Sequence, residues 1–180
     1  MRALPAALLL LAACGTPASS SRRLKPETVA APELWKGVGR VTVMPPDNWT
    51  ADVGPEYQAW YRALIAELLR EKGYEPTPVV DVNRFMLKNK FTLAGEVRIY
   101  SVEELAKEFR SDALLFWDIT GSGRLNMDLV KGDGRRLWGT GEVYLDLPYA
   151  ARPSGSYDAG DQRFALALAE ILRKLPRRAS

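Results

Sequence analysis

The chain reads as an α/β protein: a single mixed β-sheet flanked by helices, with a β-hairpin in the C-terminal half. Three observations predict this. Strand-like and helical patterns alternate early in the chain, and β–α–β connections imply parallel neighbours joined by right-handed crossovers. Ala113-Leu114-Leu115-Phe116-Trp117 is a continuous apolar run of strand length, as expected for a strand covered on both faces. Gly132-Asp133-Gly134 separates two alternating segments, the pattern of a hairpin. The 180 residues suit one domain. The expected divisions are a leader over 1–13, a flexible tether over 14–36, the folded domain over 37–176 and a basic tail over 177–180.

Met1-Arg2 gives a short cationic start, and Ala3 to Ala13 is apolar except for Pro5. That run is too short for a bilayer core, which needs about 20 apolar residues. It fits the apolar region of a secretory signal. The stretch that follows is small and polar at Thr16-Pro17-Ala18-Ser19-Ser20-Ser21, then carries Arg22, Arg23 and Lys25. Such composition keeps a linker flexible.

Val38 to Met44 reads as the first strand, ended by Pro45-Pro46, because proline cannot donate to a ladder. Gly54 to Lys72 reads as the longest helix, with Pro55 at its first turn and Gly73 just past its end. Tyr57, Trp60, Tyr61, Leu64, Ile65, Leu68 and Leu69 recur at helical spacing and form its core face. Arg62, Glu67, Arg70 and Lys72 are assigned to the solvent side. Tyr74 to Val80 reads as a second strand or an extended segment, with Pro76 and Pro78 arguing for a sheet edge. Asp81 is placed as the N-cap of a short helix through Lys88. Phe91 to Tyr100 reads as loop or short helix, and Ser101-Val102-Glu103-Glu104 as a capping box opening another helix. After the strand Asp112–Thr120, Leu125 to Val130 and Leu137 to Leu147 form the hairpin. Pro148 to Gly160 is a loop, and Asp161 is placed as the cap of a last helix that Pro176 stops.

Composition excludes several chemistries. There is no histidine, so a Ser-His-Asp triad, a Cys-His pair and a His-containing zinc site are ruled out. Only one cysteine is present, so no internal disulfide can form. The net charge is +3, and loss of Arg2 with the leader leaves +2. That small excess is not the clustered charge of a nucleic-acid binder, and no nucleic-acid partner is expected. Gly121-Ser122-Gly123 and Gly132-Asp133-Gly134 are turn glycines with no following helix, not phosphate loops. No carboxylate set has calcium-loop spacing. No metal, no cofactor and no enzymatic activity are expected.

Leu11-Ala12-Ala13-Cys14 resembles the bacterial lipoprotein box. The resemblance implies that Leu11, Ala12 and Ala13 are read by the signal peptidase and that Cys14 is acylated as the new N-terminus. Gly15 follows the cysteine, where inner-membrane retention commonly uses Asp, so the resemblance implies the outer membrane facing the periplasm. A wider resemblance is carried by Val41-Thr42-Val43-Met44-Pro45-Pro46, the helix into Gly73-Tyr74, Leu105–Phe109 into Asp112-Ala113-Leu114-Leu115, and Leu129-Val130 with Gly134 and Leu137-Trp138-Gly139. In order and spacing these resemble a family of bacterial envelope lipoproteins of unassigned function, whose fold is related to the TolB N-terminal domain, CsgG and LpoB. The match spans about residues 38–147 and departs at Arg110-Ser111, where the family more often has small residues. It implies an accessory role: binding other envelope proteins in secretion, transport or cell-wall assembly, with homo-oligomers left open.

Candidate partner surfaces are the loop with Asp47, Asn48 and Trp49, the loop with Tyr157, and the basic end with Arg173, Lys174, Arg177 and Arg178. Basic residues there also suit a helix C-terminus. The alternative function is a peptidoglycan- or glycan-binding protein stacking a sugar on Trp49, or a carboxylate-dependent one using Asp118 and Asp128.

Overall fold

A computed structural model describes residues 21–23, 27–46, 55–91, 94–119, 124–141, 143–145 and 159–178. The strands are β1 (Ser21–Arg23), β2 (Thr28–Val29), β3 (Arg40–Val43), β4 (Glu75–Pro76), β5 (Ala113–Ile119), β6 (Arg124–Lys131), β7 (Arg136–Gly139) and β8 (Val143–Leu145). The α-helices are α1 (Pro55–Glu71), α2 (Val79–Lys88), α3 (Val102–Phe109) and α4 (Ala159–Arg173), with 3-10 turns at Pro32–Trp35 and Ala94–Ile99. All the strands join one mixed sheet in the order β1-β8-β6-β5-β3-β4, with β7 also on β6 and β2 on β7. Strand β3 is parallel to β4 and β5, and the other pairings are antiparallel. The fold is therefore the expected mixed α/β sheet. Among the described residues it does not close into a barrel.

Strand β5 organises the core. Ala113, Leu115 and Trp117 face a cluster with Tyr61, Ile65 and Leu69 of α1 and Leu168 and Leu172 of α4. Leu114 and Phe116 face the other cluster, with Val82 and Phe85 of α2 and Leu105 and Phe109 of α3. Successive side chains on a strand point to opposite faces, so the stretch between the two helical layers, Ala113 to Trp117, is apolar at every position. The Trp117 indole N–H donates to the Met44 carbonyl at 2.8 Å, which satisfies its polar atom inside the core.

Local chemistry sets the element ends. Helix α1 stops in a Schellman motif: Gly73 has φ +88°, its N–H donates to Arg70 O at 2.8 Å, and Tyr74 N–H donates to Leu69 O at 3.1 Å. The capping box of α3 is formed, with Glu104 N–H donating to Ser101 Oγ at 3.2 Å and Ser101 N–H to Glu104 Oε2 at 2.7 Å. The helix closes with Arg110, a non-glycine residue at φ 50°. Asp112 Oδ2 then accepts from Gly39 N–H at 2.9 Å and Arg40 N–H at 2.7 Å. That carboxylate fixes where β3 and β5 begin their parallel pairing.

The structure corrects several expectations. Residues 21–23 and 28–29, placed in the tether, pair with β8 and β7. The strand expected over Tyr74–Val80 shrinks to two residues at the sheet edge, because Pro78 occupies the N-cap of α2 and Val79 already begins it. Asp81 is therefore no cap; it lies in the first turn and pairs with Arg84 at 3.0 Å. The returning strand breaks into β7 and β8 where Gly141 takes φ +65°. At the break Thr140 Oγ1 accepts from Met127 N–H at 2.9 Å and donates to Gly141 O at 2.6 Å. Helix α4 begins at Ala159, two residues before Asp161. Arg62, assigned to the solvent side of α1, is only 5% exposed.

Candidate partner-binding surface

Helices α1 and α4 end side by side, and the chain after α4 is docked rather than free. Lys72 Nζ donates to Arg173 O at 2.5 Å, Arg178 N–H to Lys72 O at 3.0 Å, and the Tyr74 hydroxyl to Pro176 O at 3.0 Å. Leu175 is buried beneath them. The Arg178 guanidinium lies over Gly39, where a Cβ would come within 2.8 Å of Cζ and Nη2. A side chain at that position would have to displace the guanidinium.

These contacts gather Lys72, Arg173, Lys174, Arg177 and Arg178 at one end of the domain. Arg173, Lys174, Arg177 and Arg178 are exposed. Burial, and then the charges of Arg177 and Arg173, push the Lys72 ammonium below its usual pKa, with Glu71 opposing. Burial pushes the Tyr74 phenol up to about 12, with Arg178 opposing.

A cleft of about 470 Å³ lies on the other face, between the end of α2 and α3. Phe85, Tyr100 and Leu105 line it, with Lys88, Lys107 and Arg110 among the charged residues at its walls. Tyr100, Asn89 and Glu104 in its lining serve the fold. The Tyr100 hydroxyl donates to Asn89 Oδ1 at 3.1 Å, and Asn89 Nδ2 donates to Phe85 O at 2.8 Å. Hydrogen bonds from Ser101 hold the Glu104 carboxyl below the usual range.

Of the residues singled out from the sequence, Arg173 and Arg177 come together with Lys72. Cys14, Leu11, Ala12, Ala13, Asp47, Asn48, Trp49 and Tyr157 lie outside the described residues. Asp118 opposes Asn126 and Asp128 opposes Phe116, so both carboxylates sit on one sheet face as diagonal neighbours. Asp128 is held by the Arg136 guanidinium. Among the described residues, no group of three or more acidic or thiol side chains is placed to hold a metal. No described helix is long and apolar enough to cross a membrane. Sequence reasoning missed Lys72, which lies far from Arg173 in the chain and reads locally as the polar end of α1. It also missed Arg62, since helical spacing does not show that α2 covers that position.

With this geometry, the fold is that of a bacterial lipoprotein of known structure. The chain is similar to lipoprotein GNA1162 from Neisseria meningitidis, at 23% identity over 76% of this chain and 99% of that one, with a TM-score of 0.50. It is also similar to PelC from Paraburkholderia phytofirmans, a dodecamer, at 14% identity over 90% and 99% of the two chains, with a TM-score of 0.50. At these identities the likeness concerns the fold. No family model and no curated protein sequence matches the chain.

Proposed function

We propose that this chain is a lipid-anchored accessory protein of the bacterial envelope, held at the outer membrane facing the periplasm, that binds other envelope proteins and catalyses no reaction. The observation that carries the reading is a lipoprotein-like fold in a chain whose sole cysteine directly follows Leu11-Ala12-Ala13. Acylation of Cys14 would anchor the domain, each buried CH₂ adding about 0.8 kcal/mol and more than one chain giving stable attachment. The absence of histidine and the engagement of Asp128 by Arg136 support a binding role over catalysis. The dodecameric PelC supports self-association as part of the same reading. A fold relation to the TolB N-terminal domain, CsgG and LpoB also belongs to it.

Metabolic labelling with a clickable fatty acid tests the anchor. Wild-type protein should take label and mature at Cys14. Cys14→Ser should lose both, and unchanged labelling refutes the anchor. In-cell crosslinking of the anchored form then tests partner binding, with capture of specific envelope proteins as the supporting result.

A further inference from the structure

The five cations at the ends of α1 and α4 exceed what two helix termini need. Cations beside terminal carbonyls are favourable, and the Lys72 ammonium on Arg173 O supplies one. Among the described residues, however, Arg173, Lys174, Arg177 and Arg178 have no ion pair. Glu71 opposes these charges at Lys72 but does not balance five of them, and an incoming anion relieves the repulsion that remains. Guanidinium groups match carboxylates in two-pronged geometry.

The sheet register says which way this cluster faces. Ser21 opposes Leu145 and Arg124 opposes Tyr144, so the described chain comes in at the end where β6 starts. It then follows the sheet edge past Val29, opposite Trp138, until Lys131 Nζ at the far end of β6 donates to Leu34 O at 3.0 Å. Gly39, under Arg178, is bonded to Asp112, whose carbonyl accepts from Gly132 N–H at 2.8 Å just past that far end. The length of β6 separates the two levels, about 24 Å at ~3.4 Å per residue. The chain between Cys14 and Ser21 reaches about 25 Å when fully extended. A chain anchored at Cys14 therefore enters the domain at the β1 end, and the cluster lies at the opposite end.

We propose that Lys72, Arg173, Lys174, Arg177 and Arg178 form a docking surface for an acidic segment of a partner protein, presented at the end of the domain opposite the incoming chain. The inference deepens the accessory reading, and its orientation rests on the anchor at Cys14. The partner is an Asp/Glu-rich segment in the periplasm rather than the lipids of the anchoring bilayer.

Fluorescence anisotropy on the full chain in detergent micelles tests it, using a labelled Asp/Glu-rich peptide and its Asn/Gln counterpart. Wild-type protein should bind the acidic peptide alone, and more weakly as salt screens it. The combined variant Arg173→Gln/Arg177→Gln/Arg178→Gln should bind about tenfold more weakly. Arg84→Gln/Lys88→Gln/Lys107→Gln, which removes equal charge elsewhere, should bind as wild type. Arg173→Gln/Arg177→Gln leaves Arg178 over Gly39, so its loss of binding is read on an intact fold. Equal binding of both peptides, or equal loss in the two triple variants, overturns the proposal. So does tighter binding, through the same arginines, to phosphatidylglycerol vesicles or isolated peptidoglycan. Cys14→Ser should keep the peptide affinity, so failure of the anchor and failure of the docking surface give different results.

Discussion

Substituting Arg62 by Met removes a charge that the fold buries between α1 and α2. The guanidinium donates from Nε to Gln58 O at 3.4 Å and from Nη2 to Asn83 Oδ1 at 2.5 Å, while Nη1 is buried without a partner. None of these contacts is a carboxylate. Burial lowers its pKa from the usual arginine value to about 10. That difference corresponds to a penalty of about 3 kcal/mol on the charged form. For a base whose folded pKa lies below its unfolded value, the penalty is full below about pH 10 and fades as pH rises toward the unfolded pKa. At neutral pH the whole penalty applies. Methionine fills a similar volume, while Asn83 loses a bond worth about 1 kcal/mol and, being half-buried, regains part of it from water. The net expectation is a gain of about 2 kcal/mol, within the range seen when buried ions are replaced by apolar side chains. For a chain of this size that raises Tm by roughly 4–8 °C. Urea unfolding at pH 7 measures it, with Arg62→Ala as a contrast that leaves a void and gains less. A loss of more than about 1 kcal/mol in Arg62→Met at unchanged m-value would refute the reasoning, because it would show the guanidinium to be a net stabiliser.

Asp112→Ala removes the carboxylate that accepts from Gly39 and Arg40 N–H, and should cost about 1–3 kcal/mol in the same unfolding assay. Absence of any loss would mean that water satisfies both donors equally well. The Tyr74 phenol should titrate near 12 by its ultraviolet absorbance. For an acid whose folded pKa is raised, its stabilising contribution is complete below pH 10 and is lost as pH rises through about 12. Tyr74→Phe should cost about 1 kcal/mol and speed proteolysis of the segment after α4; an unchanged cleavage rate would show that the bond to Pro176 does not hold that segment.

The sequence is most legible where one local rule decides the outcome. Strand β5 could be read because its stretch covered on both faces, Ala113 to Trp117, is five apolar residues in a row. Helix α3 could be read because its capping box completes itself within four residues. Gly73 marks the end of α1 for the same reason: a Schellman motif needs a left-handed residue there. The misreadings share a different cause. Thr28 and Val29 look like linker because their pairing is decided by an open edge at Gly139 and Trp138, more than a hundred residues away. Asp81 is a good cap by type, but Pro78 fixes the preceding backbone and starts the helix earlier. Arg62 looks solvent-facing from α1 alone, since only the packing of α2 buries it. Of the cationic surface, Arg173 to Arg178 is visible as a charge run, whereas Lys72 joins it only through tertiary contact.

The pairing of β1 with β8 also bears on how the domain carries load. A chain held upstream of Ser21 and drawn along β1 pulls parallel to the strand, while the β1–β8 hydrogen bonds lie across it. Tension is then shared by the whole short ladder in shear, instead of opening one bond at a time. Strand β2 repeats the arrangement against β7 further along the same edge. The segment by which the chain enters the domain thus works as a mechanical clamp in two stages, and a tug must slide both strands before it reaches β3.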